Sequence, residues 1–110
     1  MDDSERRWVL SVLAGAQQDD ATELVMSPAQ DGGTAVRYKV GDAWHAWASA
    51  GVPWSGLLSE VAGLAGIRDA PFPKEGLIYI AYSGVRLRWK VRLTNEDSAC
   101  DFQNLGSGLV

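Results

Sequence analysis

The sequence predicts an α+β fold: an antiparallel sheet with helices packed against it. Three observations carry that prediction. The hydrophobic period switches from 3.6 to 2 and back, in the order helix, three strands, helix, three strands. Two-residue turns at Gly41-Asp42 and Ser83-Gly84 join neighbouring strands as hairpins, which makes those pairs antiparallel. The 110 residues are 46% hydrophobic and 22% charged, which fits one globular domain over 1–110 and excludes a disordered chain.

The first helix is expected over Ser4 to Gln18. Ser4 is its N-cap, with Asp2 and Asp3 at the positive end of the dipole. Trp8, Val9, Val12, Leu13 and Ala16 form its apolar stripe, and the polar run Gln17 to Asp20 ends the pattern. Thr22 to Ser27 reads as a short strand stopped by Pro28, and Ala29 to Gly33 as a turn. Ala35 to Val40 alternates, with Val36, Tyr38 and Val40 on one face and Arg37 and Lys39 on the other. Ala43 to Ala48 pairs back as a hairpin. A second helix is expected over Pro53 to Ile67, with Leu57, Val61, Leu64 and Ala65 as its stripe. Gly63 and Gly66 weaken that helix by roughly a kcal/mol each, so they are expected to allow close packing or to end it. Asp69 to Gly76 holds Pro71, Pro73 and Gly76 and reads as a loop. Leu77 to Tyr82, Val85 to Leu93 and Cys100 to Leu105 complete the strands, and a frayed tail is expected over 106–110.

The charge pattern limits the function classes. A net charge of -4 argues against a broad nucleic-acid surface, which needs clustered cations. Arg86, Arg88, Lys90 and Arg92 do share one strand face, since they are spaced by two. The simplest reading is a solvated sheet face; the alternative is a docking face for an acidic partner or a phosphate. The single cysteine, Cys100, allows no intrachain disulfide. The charged start MDDSERR is unlike a signal peptide, and no apolar run approaches the roughly 20 residues that span a bilayer. A cytoplasmic protein without membrane insertion is therefore expected.

No intact catalytic motif is found. Lys39, Lys74 and Lys90 are not followed by Ser or Thr, so no phosphate-cradling loop of the Walker type exists. One Cys and one His do not make a zinc site. His45, in Trp44-His45-Ala46-Trp47, has no catalytic companion nearby, and Cys100 has no His or Arg beside it to make a thiolate. The acidic pairs Asp19-Asp20 and Glu96-Asp97 read as solvated loop charge. The tryptophans read as core or interface anchors before they read as a ligand cage.

From Ala21 to about Val91 the chain resembles the PAS-like domain that precedes the motor core in type II secretion and type IV pilus assembly ATPases. The residues Ala21-Thr22-Glu23-Leu24-Val25-Met26-Ser27-Pro28 parallel the family's A-S-D-I-H-x-E-P. Val36-Arg37-Tyr38-Lys39-Val40-Gly41-Asp42-Ala43-Trp44 parallels V-R-Y-R-x-D-G-V-L with the turn pair reversed. Ser59 to Ile67 parallels S-R-I-K-x-M-A-G-L, and Pro73-Lys74-Glu75-Gly76 parallels P-Q-D-G. The departures bear on function. The family carries a nucleotide-directed arginine after the turn glycine and another on the next strand. Here the first position is Leu77 and the second falls near Lys90, with Arg88 or Arg92 reaching it only if the register slips by two. Walker A, Walker B and the motor's histidine box are absent.

The resemblance implies a PAS-like sandwich over 21–105 and a non-catalytic, cytoplasmic interaction or regulatory module. It implies a protein partner, a secretion or pilus ATPase, with no cofactor and no nucleic acid; a homo-oligomer is compatible with it. The expected interaction surface is Arg86, Arg88, Lys90, Arg92 and Trp47. The alternatives are a PAS-like sensor of a small ligand, with aromatics lining its pocket, and an enzyme of another type using His45 or Cys100.

Overall fold

A computed structural model of the chain describes residues 4–47, 52–95 and 99–105. Helix α1 (Ser4–Gln18) is followed by strands β1 (Glu23–Pro28), β2 (Thr34–Val40) and β3 (Ala43–Ala46). Helix α2 (Trp54–Leu64) leads to β4 (Lys74–Tyr82), β5 (Val85–Leu93) and β6 (Cys100–Asn104). The predicted order of elements is the observed one, and the fold is α+β. Asp2, Asp3, Ala48, Glu96, Asp97 and the tail 106–110 lie outside the described residues.

The six strands form one antiparallel sheet in the order β3-β2-β1-β6-β5-β4. The two three-stranded groups are therefore joined by pairing of β1 with β6, in the register Leu24↔Phe102 and Met26↔Cys100. The join is buried: Leu24, Met26 and Cys100 are 0% exposed and Phe102 is 2%. Both helices pack on one face of the sheet, against each other and over β4 and β5. Val9, Val12, Leu13 and Ala16 of α1 meet Leu57 and Val61 of α2 above Ile78, Leu87, Trp89 and Val91. Each fully buried Val or Leu there contributes roughly 1.5–3 kcal/mol relative to exposure.

Several boundaries differ from expectation. Strand β1 runs through Pro28, which pairs with Thr34, the first residue of β2, instead of stopping before it. Helix α2 stops at Leu64, three residues short of Ile67. Gly66 takes φ +72, a left-handed conformation that costs glycine nothing and turns the chain out of the helix. Strand β4 begins at Lys74, so Lys74-Glu75-Gly76 are strand rather than loop, paired with Leu93, Arg92 and Val91. Glycine inside that strand answers a packing need. A Cβ at position 76 would lie 2.8 Å from the Ala65 carbonyl oxygen at the end of α2. No helix among the described residues is long and apolar enough to cross a membrane.

Candidate functional site: the uncovered face of the sheet

Strand alternation decides which side chains the helices cover. On β5, Leu87, Trp89, Val91 and Leu93 are buried beneath the helices. Arg86, Arg88, Lys90 and Arg92 therefore point to the opposite face, which no helix among the described residues covers. The register brings their neighbours onto that face. Ala81, Tyr79, Leu77 and Glu75 of β4 stand opposite Arg86, Arg88, Lys90 and Arg92 in turn, and Gln103 and Asp101 of β6 flank Lys90 and Arg92 on the other side. Through β1 the face continues to Arg37 and Lys39 of β2 and Trp44 of β3.

The face thus holds six cations, Arg37, Lys39, Arg86, Arg88, Lys90 and Arg92, against three carboxylates, Glu23, Glu75 and Asp101. The whole chain carries 10 cations and 14 carboxylates. The positive charge of an acidic protein is concentrated on one side of its sheet. Exposed apolar side chains lie among the cations: Tyr79 is 63% exposed, Leu77 57% and Trp44 45%.

The cations are not equivalent. Lys90 and Arg92 share Glu75, each at 3.7 Å, and Lys39 lies 3.7 Å from Glu23. All of these pairs are solvent-exposed, so each contributes about 0–1 kcal/mol. Arg88 donates to the Tyr79 hydroxyl at 3.1 Å and its guanidinium lies 5.1 Å from that ring's centre. Arg37 sits 5.8 Å above the Trp44 ring. Arg86 has no side-chain partner among the described residues; only its backbone carbonyl is engaged, by the Gln17 amide. Three guanidinium groups, Arg37, Arg86 and Arg88, are thus held without a carboxylate and remain able to take one from outside.

In the middle of the face, at the β1–β6–β5 crossing, is an open concavity of about 600 Å³. Glu23 and Asp101 line one side of it, and Glu75, Lys90 and Arg92 the other. Such a bipolar lining suits polar or charged groups rather than an apolar ligand.

Trp47 does not belong to this surface. Alternation along β3 turns it to the helix side, where its ring packs over Gly15 of α1 and meets Tyr38 edge-on at 5.8 Å. Its apolar area closes the end of the core, so the expected five-residue surface divides into four cations on one face and an anchor on the other. His45 shares the Trp47 side of the strand, exposed and 5.5 Å from Tyr38. Cys100 is buried in the core. Desolvation by burial, helped by the neighbouring Asp101 charge, pushes its thiol pKa from 9.0 up to about 12. It is a packed thiol, far from thiolate character at neutral pH. Among the described residues no three His, Cys, Asp or Glu side chains converge on a metal-sized site.

Sequence periodicity alone grouped the four cations of β5. It missed that Arg37, Lys39 and Trp44 join them, because that depends on the β1–β6 junction; Leu77 and Tyr79 join them through the β4–β5 hairpin. Leu77 and Lys90 are direct cross-strand partners. No protein-family model matches the chain, and no curated protein matches it significantly.

Proposed function

We propose that the chain is a non-catalytic, cytoplasmic protein-interaction module whose uncovered sheet face docks on an acidic protein surface. The single observation behind this reading is the concentration of six cations and three exposed apolar side chains on one sheet face of a net-acidic chain. Cations in such an array raise the rate of encounter with an acidic partner and fix its register, while Tyr79, Leu77 and Trp44 offer area for burial. The resemblance to secretion-ATPase N-terminal domains supplies the class of partner: the motor of a type II secretion or type IV pilus system. In this reading the module is a PAS-like scaffold whose uncovered sheet face is the docking surface.

Binding of the purified chain to such a motor core, followed calorimetrically, tests the proposal. The double substitution Arg86→Glu with Arg88→Glu should weaken binding at least tenfold. Raising salt from 0.05 to 0.5 M should weaken the unsubstituted chain in the same direction, because exposed charges are screened beyond about 10 Å at 0.1 M salt. Unchanged affinity after the reversal, or tight binding to a single-stranded oligonucleotide in place of the motor, would refute the reading.

The bipolar concavity favours one second reading, a sensor of a small zwitterionic or anionic ligand. A rise in melting temperature with added metabolite, lost on Lys90→Ala, would support it.

A further inference from the structure

The sheet has two edges, and they differ. Strand β3 is a four-residue edge, Ala43–Ala46. Strand β4 is a nine-residue edge, Lys74–Tyr82, paired to β5 without interruption from Lys74↔Leu93 to Tyr82↔Val85. It contains no proline and no bulge, the devices by which natural edges discourage pairing. It also carries the two most exposed large apolar side chains among the described residues, Leu77 and Tyr79.

The hydrogen-bond parity of this edge follows from its neighbours. The Leu105 amide donates to the Arg88 carbonyl at 2.8 Å, so the even-numbered residues of β5 turn their backbone groups toward β6. Its odd-numbered residues turn theirs toward β4, where they meet the even-numbered residues of that strand. The N–H and C=O groups of Glu75, Leu77, Tyr79 and Ala81 therefore point outward, and none has a backbone partner among the described residues. A row of such groups is a template for one more strand.

We infer that the outer edge of β4 pairs antiparallel with β4 of a second copy of this chain, about a two-fold axis at Ile78. This register overlaps all nine residues, and each of the four outward residues both donates and accepts. It places Leu77 of one copy opposite Tyr79 of the other, twice, forming an apolar cross-strand cluster on the uncovered face. No like charges meet: Glu75 falls opposite Ala81, and Lys74 opposite Tyr82. Charge complementarity adds to this. Ala81 is small and stands next to Arg86 on β5. Strands are about 4.8 Å apart, so Glu75 of one copy reaches over Ala81 toward Arg86 of the other. Arg86 is the cation of β5 without a side-chain partner among the described residues. The register thus supplies a carboxylate to the arginine of β5 whose side chain has no partner among the described residues.

The pairing makes one continuous sheet of the two copies and stands independently of any acidic partner. Analytical ultracentrifugation of the full chain tests it, and should show a species of twice the 11.9 kDa chain mass growing with concentration. Leu77→Lys and Tyr79→Pro should each raise the dimer dissociation constant at least tenfold. Tyr79→Pro removes the ring from the cross-strand cluster and, of the backbone groups, only an outward N–H, so the β4–β5 ladder survives it; circular dichroism confirms that the monomer remains folded. Arg86→Glu alone should weaken the dimer, and adding Glu75→Lys should restore it, which a merely structural role for either residue would not produce. A chain that stays monomeric at every concentration, or a dimer indifferent to both Leu77→Lys and Tyr79→Pro, overturns the inference. Motor binding is measured separately, so either proposal can fail without the other.

Discussion

At the scale of single residues, contacts too close for a methyl group and a thiol too dry to ionise give the sharpest expectations. Gly76 lies under the end of α2, and a Cβ there would meet the Ala65 backbone oxygen at 2.8 Å and Ile67 Cγ2 at the same distance. A backbone oxygen cannot rotate away, so Gly76→Ala should cost about 1–3 kcal/mol, read as a lower denaturant midpoint with unchanged m-value. Cys100 gives a pH prediction of definite sign. Its folded pKa is raised from 9.0 to about 12, so below pH 9 both folded and unfolded thiols are protonated and the full stability is present. Above pH 9 the unfolded thiol loses its proton and the folded one keeps it. This group should then lower stability progressively as pH rises from 9 toward about 12. Cys100→Ala should flatten the loss, measured by urea titration across that range. Trp89 is a different case. It is 0% exposed and its indole N–H has no hydrogen-bond partner among the described residues. We have no physical account of what compensates it.

At the scale of elements, the β4–β5 hairpin shows how local chemistry sets a register that matters for the surface. Its two turn residues, Ser83 and Gly84, take φ of 52 and 80, the doubly left-handed turn that matches strand twist. Serine tolerates that conformation poorly, whereas asparagine visits it readily. Ser83→Asn should stabilise the protein by up to about 1 kcal/mol, visible as a higher melting temperature. The turn fixes Tyr82↔Val85, and through it every later pair down to Glu75↔Arg92. A one-residue slip would turn the cations of β5 into the core, where their charge would be uncompensated. The hairpin was readable from the dipeptide Ser83-Gly84 and the flanking alternation. The early start of β4 was not, because Pro71, Pro73 and Gly76 are turn formers locally. Pairing to Val91 and Leu93 overrides that preference.

At the scale of the whole molecule, the fold segregates charge. Helices cover the apolar face of the sheet and leave the other face to six cations, so a chain of net charge -4 presents a positive surface in one direction only. Because those cations are exposed, their effect on stability should be small: Arg86→Glu with Arg88→Glu should change unfolding free energy by less than about 1 kcal/mol while abolishing most of the affinity for an acidic partner. Paired measurements of melting and binding on the same variant separate a docking role from a structural one. The dimer expected from the β4 edge would place two such surfaces side by side.

The sequence by itself determined the order and type of the elements, both hairpins, the buried stripe of α1 and the shared face of Arg86, Arg88, Lys90 and Arg92. Each of these rests on a period or a turn within a few residues of chain. Tertiary structure alone decided that β1 pairs with β6, which strands stand at the edges, and that Trp47 serves the core while Arg37, Lys39 and Trp44 join the cations of β5. Those outcomes depend on contacts between residues such as Met26 and Cys100, which are distant in sequence and brought together by burial of a common apolar face. No local pattern encodes which apolar strand will find which, and so the surface that carries the proposed function became visible only when the sheet was closed.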